Sequence, residues 1–362
     1  MMKEIGSSFW LSPEKAYSAT IEVTPKVFGV SGADFAWLAS GRSAIAYGIH
    51  HRLQQRKAAS KKALLPAYTC ESVIEPFLNM GFEVRFYSLG ENLSWDEEEI
   101  KTLILEIQPD FLLFHPYFGF DTLSNTREMV SYCQRQGVTV MEDRTQCLYS
   151  DIPLSGADYV VGSIRKWCEA PNGGFIVTKQ GRFAEPIAPA DQSYEQLFLT
   201  ASTNKYNYLF HGTGEKSTFL EQYAKAEELL EQQEGFGNPS PLSFGVQGSL
   251  NVGELIAKRR ENYTILLQGI KDGFGITPLF ATLPTGITPL YFPLLVENRK
   301  ALQLHLREHA IYAPVVWPKA EGIFCNKATD FLYDHLLCIP IDQRYSPRDM
   351  ARILDCMLKE KV

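Results

Sequence analysis

Between positions 62 and 177 the chain alternates short apolar runs with amphipathic helical stretches, and this alternation limits its fold more than any single residue does. The runs Ala63–Pro66, Glu83–Tyr87, Phe111–Phe114 and Val138–Met141 read as strands. Helix-like segments separate them, one over Ser72–Met80 and one opening at the acidic stretch Asp96-Glu97-Glu98-Glu99, with a turn at Gly81. Such βαβ units build a mostly parallel sheet. Two further runs, Ala157–Val161 and Gly174–Val177, lie too close for a crossover helix and are expected as neighbouring strands joined by a short, structured turn.

Past residue 180 the rhythm changes. Ser217–Gln233 places Phe219, Leu220, Tyr223, Ala226 and Leu230 on one helical face, and the Gly- and Pro-rich stretch from Gly235 to Pro241 breaks that helix. A second long helix is expected over Leu255–Gly269. A small α+β unit follows: strand Leu290–Val296, helix Arg299–His309, a short strand at Ile311-Tyr312 and a closing helix Pro347–Lys359. The expected architecture is α/β, with a large, mostly parallel-sheet domain over 1–245 and a small α+β C-terminal domain over 246–362. There is no internal repeat.

Composition narrows the function classes. A chain of 362 residues that is 45% hydrophobic and 21% charged is neither collagenous, coiled-coil nor disordered. With 35 Lys+Arg against 42 Asp+Glu and a net charge of −7, it has no broad basic surface for a phosphate backbone, which argues against nucleic acid as a partner. The start of the chain lacks the apolar core of a signal peptide and no run of 18 apolar residues occurs, so neither targeting nor membrane insertion is expected. The seven cysteines, Cys70, Cys133, Cys147, Cys168, Cys325, Cys338 and Cys356, contain no CxxC pair. This argues against a disulfide framework and a zinc cluster, so reduced thiols in the cytoplasm and no metal are expected.

The chemistry concentrates where strands end. Val138–Met141 runs into Glu142-Asp143-Arg144-Thr145-Gln146, which brings a carboxylate to the edge where open α/β sheets bind ligands. The next strand ends at Gly162-Ser163-Ile164-Arg165-Lys166, ahead of the turn Pro171-Asn172-Gly173-Gly174. Upstream, Ser40-Gly41-Arg42-Ser43-Ala44-Ile45 opens a helix whose free N–H groups and dipole suit a phosphate. An acid, a lysine and a phosphate cradle together fit pyridoxal 5′-phosphate (PLP). Singly they have commoner meanings: a solvated surface lysine, a turn or capping Asp, an ordinary helix start, a hairpin Gly-Gly. Their order and spacing give the combination its weight.

The motifs Gly41–Ile45, Leu65-Pro66-Ala67-Tyr68-Thr69-Cys70, His115-Pro116-Tyr117-Phe118-Gly119, Glu142–Gln146, Gly162–Lys166 and Pro171–Gly174 occur in the order seen in fold-type I PLP enzymes. The chain most resembles the DegT/StrS-type nucleotide-sugar aminotransferases, and the likeness continues at Tyr291-Phe292-Pro293 and Ile339–Tyr345. The resemblance implies that Lys166 forms the Schiff base, that Asp143 partners the pyridine nitrogen and that Gln146 approaches the ring hydroxyl. It implies that Ser43, with the backbone around Gly41 and Arg42, holds the phosphate, helped by Ser163. Either Tyr68 or Cys70 stacks on the ring: Cys70 matches the register, Tyr68 has the better chemistry. The compact Ser163–Lys166 segment resembles the Ser-x-His-Lys of cysteine desulfurases, with Arg165 in the histidine's place as a phosphate ligand.

His115 and Tyr117 follow a buried strand at the ligand edge and are candidates for shaping the substrate pocket, with packing under the cofactor as the alternative. Arg344 is a candidate for binding a substrate carboxylate, with a helix cap or salt bridge as the commoner role; Trp317 reads as packing. The resemblance implies a homodimeric aminotransferase that moves an amino group from an amino acid such as glutamate to a keto acceptor, a nucleotide-linked keto sugar. Two other readings are a PLP-dependent lyase or desulfurase with Cys325 or Cys338 as sulfur acceptor, and a non-catalytic PLP-fold sensor.

Overall fold

The strands and helices of the computed structural model follow that alternation over its described residues, 4–17, 23–233, 235–270 and 275–359. The first half contains β1 (Ile5–Gly6), β2 (Asp34–Leu38), α1 (Gly41–Gln55), β3 (Lys62–Pro66), α2 (Glu71–Asn79), β4 (Glu83–Tyr87) and α3 (Glu97–Ile107). Then come β5 (Phe111–Phe114), α4 (Thr126–Arg135), β6 (Thr139–Asp143), β7 (Tyr159–Ser163), β8 (Gly174–Thr178), α5 (Gln192–Tyr206), α6 (Lys216–Glu231) and α7 (Pro241–Gly248). The last part holds α8 (Val252–Gly269), β9 (Ile276–Pro278), β10 (Phe292–Val296), α9 (Arg299–Glu308), β11 (Ile311–Tyr312), α10 (Lys327–His335), β12 (Leu336–Ile339) and α11 (Pro347–Lys359). Part of the chain start, residues 1–3, lies outside the described residues, and no described helix is long and apolar enough to cross a membrane.

The chain divides into two compact units. One comprises Met1–Gly6, Ala58–Asp158 and Val252–Val362; the other comprises Ser7–Lys57 and Tyr159–Asn251. In the first, β6, β5, β3 and β4 pair in parallel in that order, with Phe111 opposite Thr139 and Lys62 opposite Glu83. Strands β5 and β6 are buried at every position, whereas β4, at the end of the row, alternates exposed and half-buried residues. The same unit carries an antiparallel sheet in the order β12-β10-β9, and β1 pairs in parallel with β11.

That second sheet and its helices are fastened to the ends of the parallel strands by a few buried polar contacts. The Tyr333 hydroxyl donates to Ala67 O at 2.6 Å, and Thr329 both accepts from Leu89 N–H at 2.8 Å and donates to Leu89 O at 3.0 Å. Gly119 has φ 94°, and a Cβ there would lie 2.1 Å from Thr288 O, so this approach of two backbones requires glycine.

In the second unit β8 lies between β2 and β7 and is antiparallel to both. The two strands expected to be neighbours, β7 and β8, are so. The pairing Ser163↔Gly174 carries β7 beyond Val161, the end expected from its apolar run, because backbone pairing and not hydrophobicity sets the boundary. For the same reason β6 runs past Met141 to Asp143. β2 and α5 lie outside the alternation over 62–177 and were not anticipated.

Beside Asp143, Glu142 and Arg144 form a buried ion pair, Nη1 to Oε1 2.8 Å, with both side chains 2% exposed. Breaking such a pair strands a charge, so Arg144→Ala should cost about 3–5 kcal/mol in urea unfolding, whereas the double change Glu142→Gln/Arg144→Met should cost distinctly less.

Candidate active site

Strand β6 ends on two adjacent carboxylates, and because successive strand residues point to opposite faces, Glu142 and Asp143 meet different surroundings. Glu142 is held by Arg144 and by the Ser155 hydroxyl, which donates at 2.6 Å. Arg144 also donates to Ile152 O at 2.9 Å; burial works against its charge, but the negative groups around it override that and raise its pKa. Asp143 accepts the Thr145 N–H at 2.8 Å. Gln146 is buried, its Oε1 accepts the Phe118 N–H at 2.6 Å, and its amide Nε2 has no hydrogen-bond partner among the described residues.

The neighbouring strand ends supply the remaining groups of this unit. His115 Nε2 and the Thr69 hydroxyl are 3.0 Å apart, and the Tyr117 hydroxyl donates to Tyr68 O at 2.7 Å. Tyr68 is enclosed by Tyr117, Trp317 and Tyr333, with ring centroids 6.0, 5.2 and 4.8 Å away, and burial pushes its phenol well above the usual range. Its ring is therefore engaged in packing, as is Trp317. Cys70 is the N-cap residue of α2 and is only half-buried, with the Ser72 hydroxyl 3.0 Å from its sulfur. Arg344 forks onto Asp342, Nε to Oδ1 2.7 Å and Nη2 to Oδ2 2.9 Å, the salt-bridge alternative to carboxylate binding. Burial opposes ionisation of Asp342, yet Arg344 and Arg259 hold its carboxyl below the usual range.

The second unit carries the helix start and the lysine. Ser40 is the N-cap of α1: its hydroxyl accepts the Ser43 N–H at 3.0 Å and lies 3.0 Å from the Ser43 hydroxyl. Gly41, Arg42 and Ser43 form the first turn, where backbone N–H groups have no partner within the helix and the dipole favours an anion. The Arg42 guanidinium turns away to Glu231 at 3.1 Å. Gly174 lies directly against this turn, since a Cβ on it would be 2.2 Å from Ser40 O and 2.6 Å from Gly41 N. Gly173 has φ 120° and faces Ile164. The Gly-Gly pair is a close backbone approach to the helix start, more than a hairpin.

Ser163 ends β7 and donates to Gly173 O at 3.3 Å; a single 3₁₀ turn, Ile164–Lys166, follows, held by the wholly buried Trp167. Lys166 is half-buried, and its amine makes no hydrogen bond or ion pair with any described residue. Arg165, in contrast, forks onto Glu227 at 2.6 and 2.8 Å and donates to the Tyr194 hydroxyl. Burial opposes its charge, but Glu227 prevails and raises its pKa. Asn172 pins the turn before Gly173: its Oδ1 accepts from Ser240 N and from the Ser243 hydroxyl, both at 2.9 Å. Tyr194 and Ser243 escaped the sequence reading because their partners Arg165 and Asn172 are 29 and 71 residues away.

No family model matches the chain. A stretch of 64 residues, 17% of the chain, is 38% identical to Ribonuclease VapC27 of Mycobacterium tuberculosis; the chain spans about half (47%) of that curated relative. Solved structures align far more widely. Helicobacter pylori PseC, an aminotransferase involved in the biosynthesis of pseudoaminic acid, matches over 99% of both chains with a TM-score of 0.70 at 14% identity. A DegT DnrJ EryC1 StrS aminotransferase from Brucella abortus matches over 92% of this chain and 86% of its own, TM-score 0.64, 16% identity. An E. coli GDP-4-keto-6-deoxy-D-mannose-3-dehydratase with bound hydrated PLP matches over 92% and 89%, TM-score 0.63, 16% identity. The expected α/β fold of type I aminotransferases, with its mostly parallel sheet, is therefore the fold of this chain.

The Gly174 contact gives a direct test of the helix-start geometry. Gly174→Ala must push two backbone segments apart and should lower stability by about 1–3 kcal/mol or more in urea unfolding, while Gly212→Ala, where nothing lies within 4 Å, carries only the cost of its φ of 65°.

Proposed function

We propose that this protein is a PLP-dependent aminotransferase, working in the cytoplasm as a homodimer, that moves an amino group from an amino acid such as glutamate to a nucleotide-linked keto sugar. The observation that carries the reading is Lys166: a half-buried amine at the end of a wholly buried strand, without a partner among the described residues. The other groups fit PLP in kind. Asp143 offers a buried carboxylate, Gln146 a buried amide donor without a partner among the described residues, and α1 a first turn whose N–H groups have no acceptor within the helix.

When bound, PLP supplies an aldehyde that condenses with amines and a ring that takes up the electron pair released at the substrate carbon. Toward it, Lys166 would provide the amine that holds the aldehyde and would move a proton at the substrate carbon. Asp143 keeps the pyridine nitrogen protonated. Gln146 Nε2 donates to the ring hydroxyl. The turn Gly41–Ser43 and the Ser163 hydroxyl would hold the phosphate, and Cys70, with the Tyr68 ring already packed, would be the side chain offered to the ring. His115 and Tyr117 shape the wall behind it. Arg165, engaged by Glu227 and Tyr194, and Arg344, engaged by Asp342, are positioning residues in this reading.

One solved neighbour is a dehydratase, so a lyase reaction is the second reading. Its desulfurase form finds poor support in the thiols: burial and Asp330 push Cys325 up to about 11, and burial raises Cys338 well above the ordinary thiol range. Neither is the ready thiolate that accepts sulfur.

The decisive experiment is an absorbance titration of the purified protein with glutamate and other amino acids. Transamination converts the bound cofactor stoichiometrically to its amine form without a keto acceptor; a lyase leaves the aldehyde form in place and releases product. Lys166→Ala should abolish both this conversion and any cofactor fixed by borohydride, and a fixed adduct remaining in the variant would remove Lys166 from its role. Asp143→Asn should stay folded but lose about 2–5 kcal/mol of transition-state stabilisation, roughly thirtyfold to several thousandfold in turnover.

A further inference from the structure

Outside these residues, the C-terminal part of the first unit brings two imidazoles and a thiol together. His305 and His309 stand one helical turn apart at the end of α9, and Cys356 reaches them from α11, which packs against α9. One ligand atom from each lies within 4.8 Å of the other two. A tetrahedral ion with ligands at about 2.0–2.3 Å needs donors roughly 3.3–3.7 Å apart, a distance that small side-chain rotations provide.

We propose that His305, His309 and Cys356 bind a divalent cation of the zinc type, which ties the closing helix α11 to α9. The donor set selects the metal. Two imidazoles and a thiolate suit Zn²⁺ or Co²⁺, and no oxygen ligand that Mg²⁺ or Ca²⁺ would require is among them. The His309 ring is already oriented: its Nδ1–H donates to His305 O at 2.9 Å, which fixes the tautomer and leaves Nε2 as the lone-pair donor. Arg352, one turn before Cys356 on α11, donates to His309 O and gives the two helices a second tie beside the cluster. Binding is a simple exchange: the ion gains three protein ligands, the Cys356 thiol gives up one proton, and no electron moves. His309 is solvent-exposed, so water completes the coordination shell. Cysteine spacing alone excluded a zinc cluster because this site draws one thiol from a remote helix and two histidines from the i, i+4 positions of another. The assignment is independent of the reaction the chain catalyses.

The test is a titration of the full-length, untagged protein with Co²⁺, read by difference spectra for the visible ligand-field bands of a tetrahedral ion and the thiolate-to-cobalt charge-transfer band. One equivalent should bind, Zn²⁺ should displace it, and Zn²⁺ should raise the melting temperature. Cys356→Ser should abolish the charge-transfer band, and His309→Ala, an exposed position where folding is not at stake, should weaken binding about a hundredfold. Cys325→Ser should change nothing. Bands that survive unchanged in Cys356→Ser and His309→Ala, or the lack of saturable binding to the folded protein, would overturn the proposal.

Discussion

Two carboxylates side by side at the end of a wholly buried strand are the constraint around which the parallel part of this fold is arranged. Neither acid can be left unpaired in such surroundings, and both cannot be paired by the same cation. The chain resolves this with strand geometry. The alternation of faces separates the two side chains, Arg144 and Ser155 close the environment of Glu142, and the tight turn at Thr145 gives Asp143 a backbone N–H. Glu142 thereby becomes structural, while Asp143 meets a separate set of groups. The same economy explains why Arg144, two residues beyond, is buried at 2% exposure where a solvated arginine would be expected.

The helix start and the seam near Gly119 follow a second rule, that backbone can approach backbone only where no Cβ intervenes. Gly174 brings β8 against the first turn of α1, and Gly119 brings the loop after β5 against Thr288. Glycine at these positions costs conformational entropy in the unfolded chain. Both contacts position polar groups near strand ends, which suits sites whose shape must be rigid. The aromatic cluster of Tyr68, Tyr117, Trp317 and Tyr333 plays the complementary part by filling the space behind those ends with rings.

Much of this was legible in the sequence because it was local. The runs that became β4, β5 and α11 were read with their bounds, since apolar periodicity and caps lie within one element. The strand-end motifs carrying Asp143, Ser163 and Lys166 were legible for the same reason. What the sequence hid was the partner of each polar group. Arg165 read as a phosphate ligand because the Ser163–Lys166 segment resembles the Ser-x-His-Lys of desulfurases, whereas Glu227 and Tyr194, far along the chain, engage its guanidinium. Arg344 went the other way: Asp342, only two residues off, was in plain view, and the ion pair won over the ligand role. Strand β2 went unread although Phe35–Ala39 is an apolar run, because it lies outside the strand–helix alternation over 62–177.

These engagements sort the candidate residues by what each still has to offer. Arg42, Arg165 and Arg344 have carboxylates in hydrogen-bond contact, and Tyr68 and Tyr117 have packed rings or a bonded hydroxyl. An arginine forked onto a carboxylate has little net charge to give a second anion, so a phosphate near these guanidiniums would have to compete with Glu231 or Glu227. At the start of α1 the Ser40 hydroxyl takes the Ser43 N–H, and the helix itself supplies no acceptor for the first turn. Lys166 and the Gln146 amide have no hydrogen-bond partner among the described residues. A donor amide buried without a partner costs roughly 1–3 kcal/mol, and a fold tolerates that cost most readily where a ligand supplies the missing acceptor.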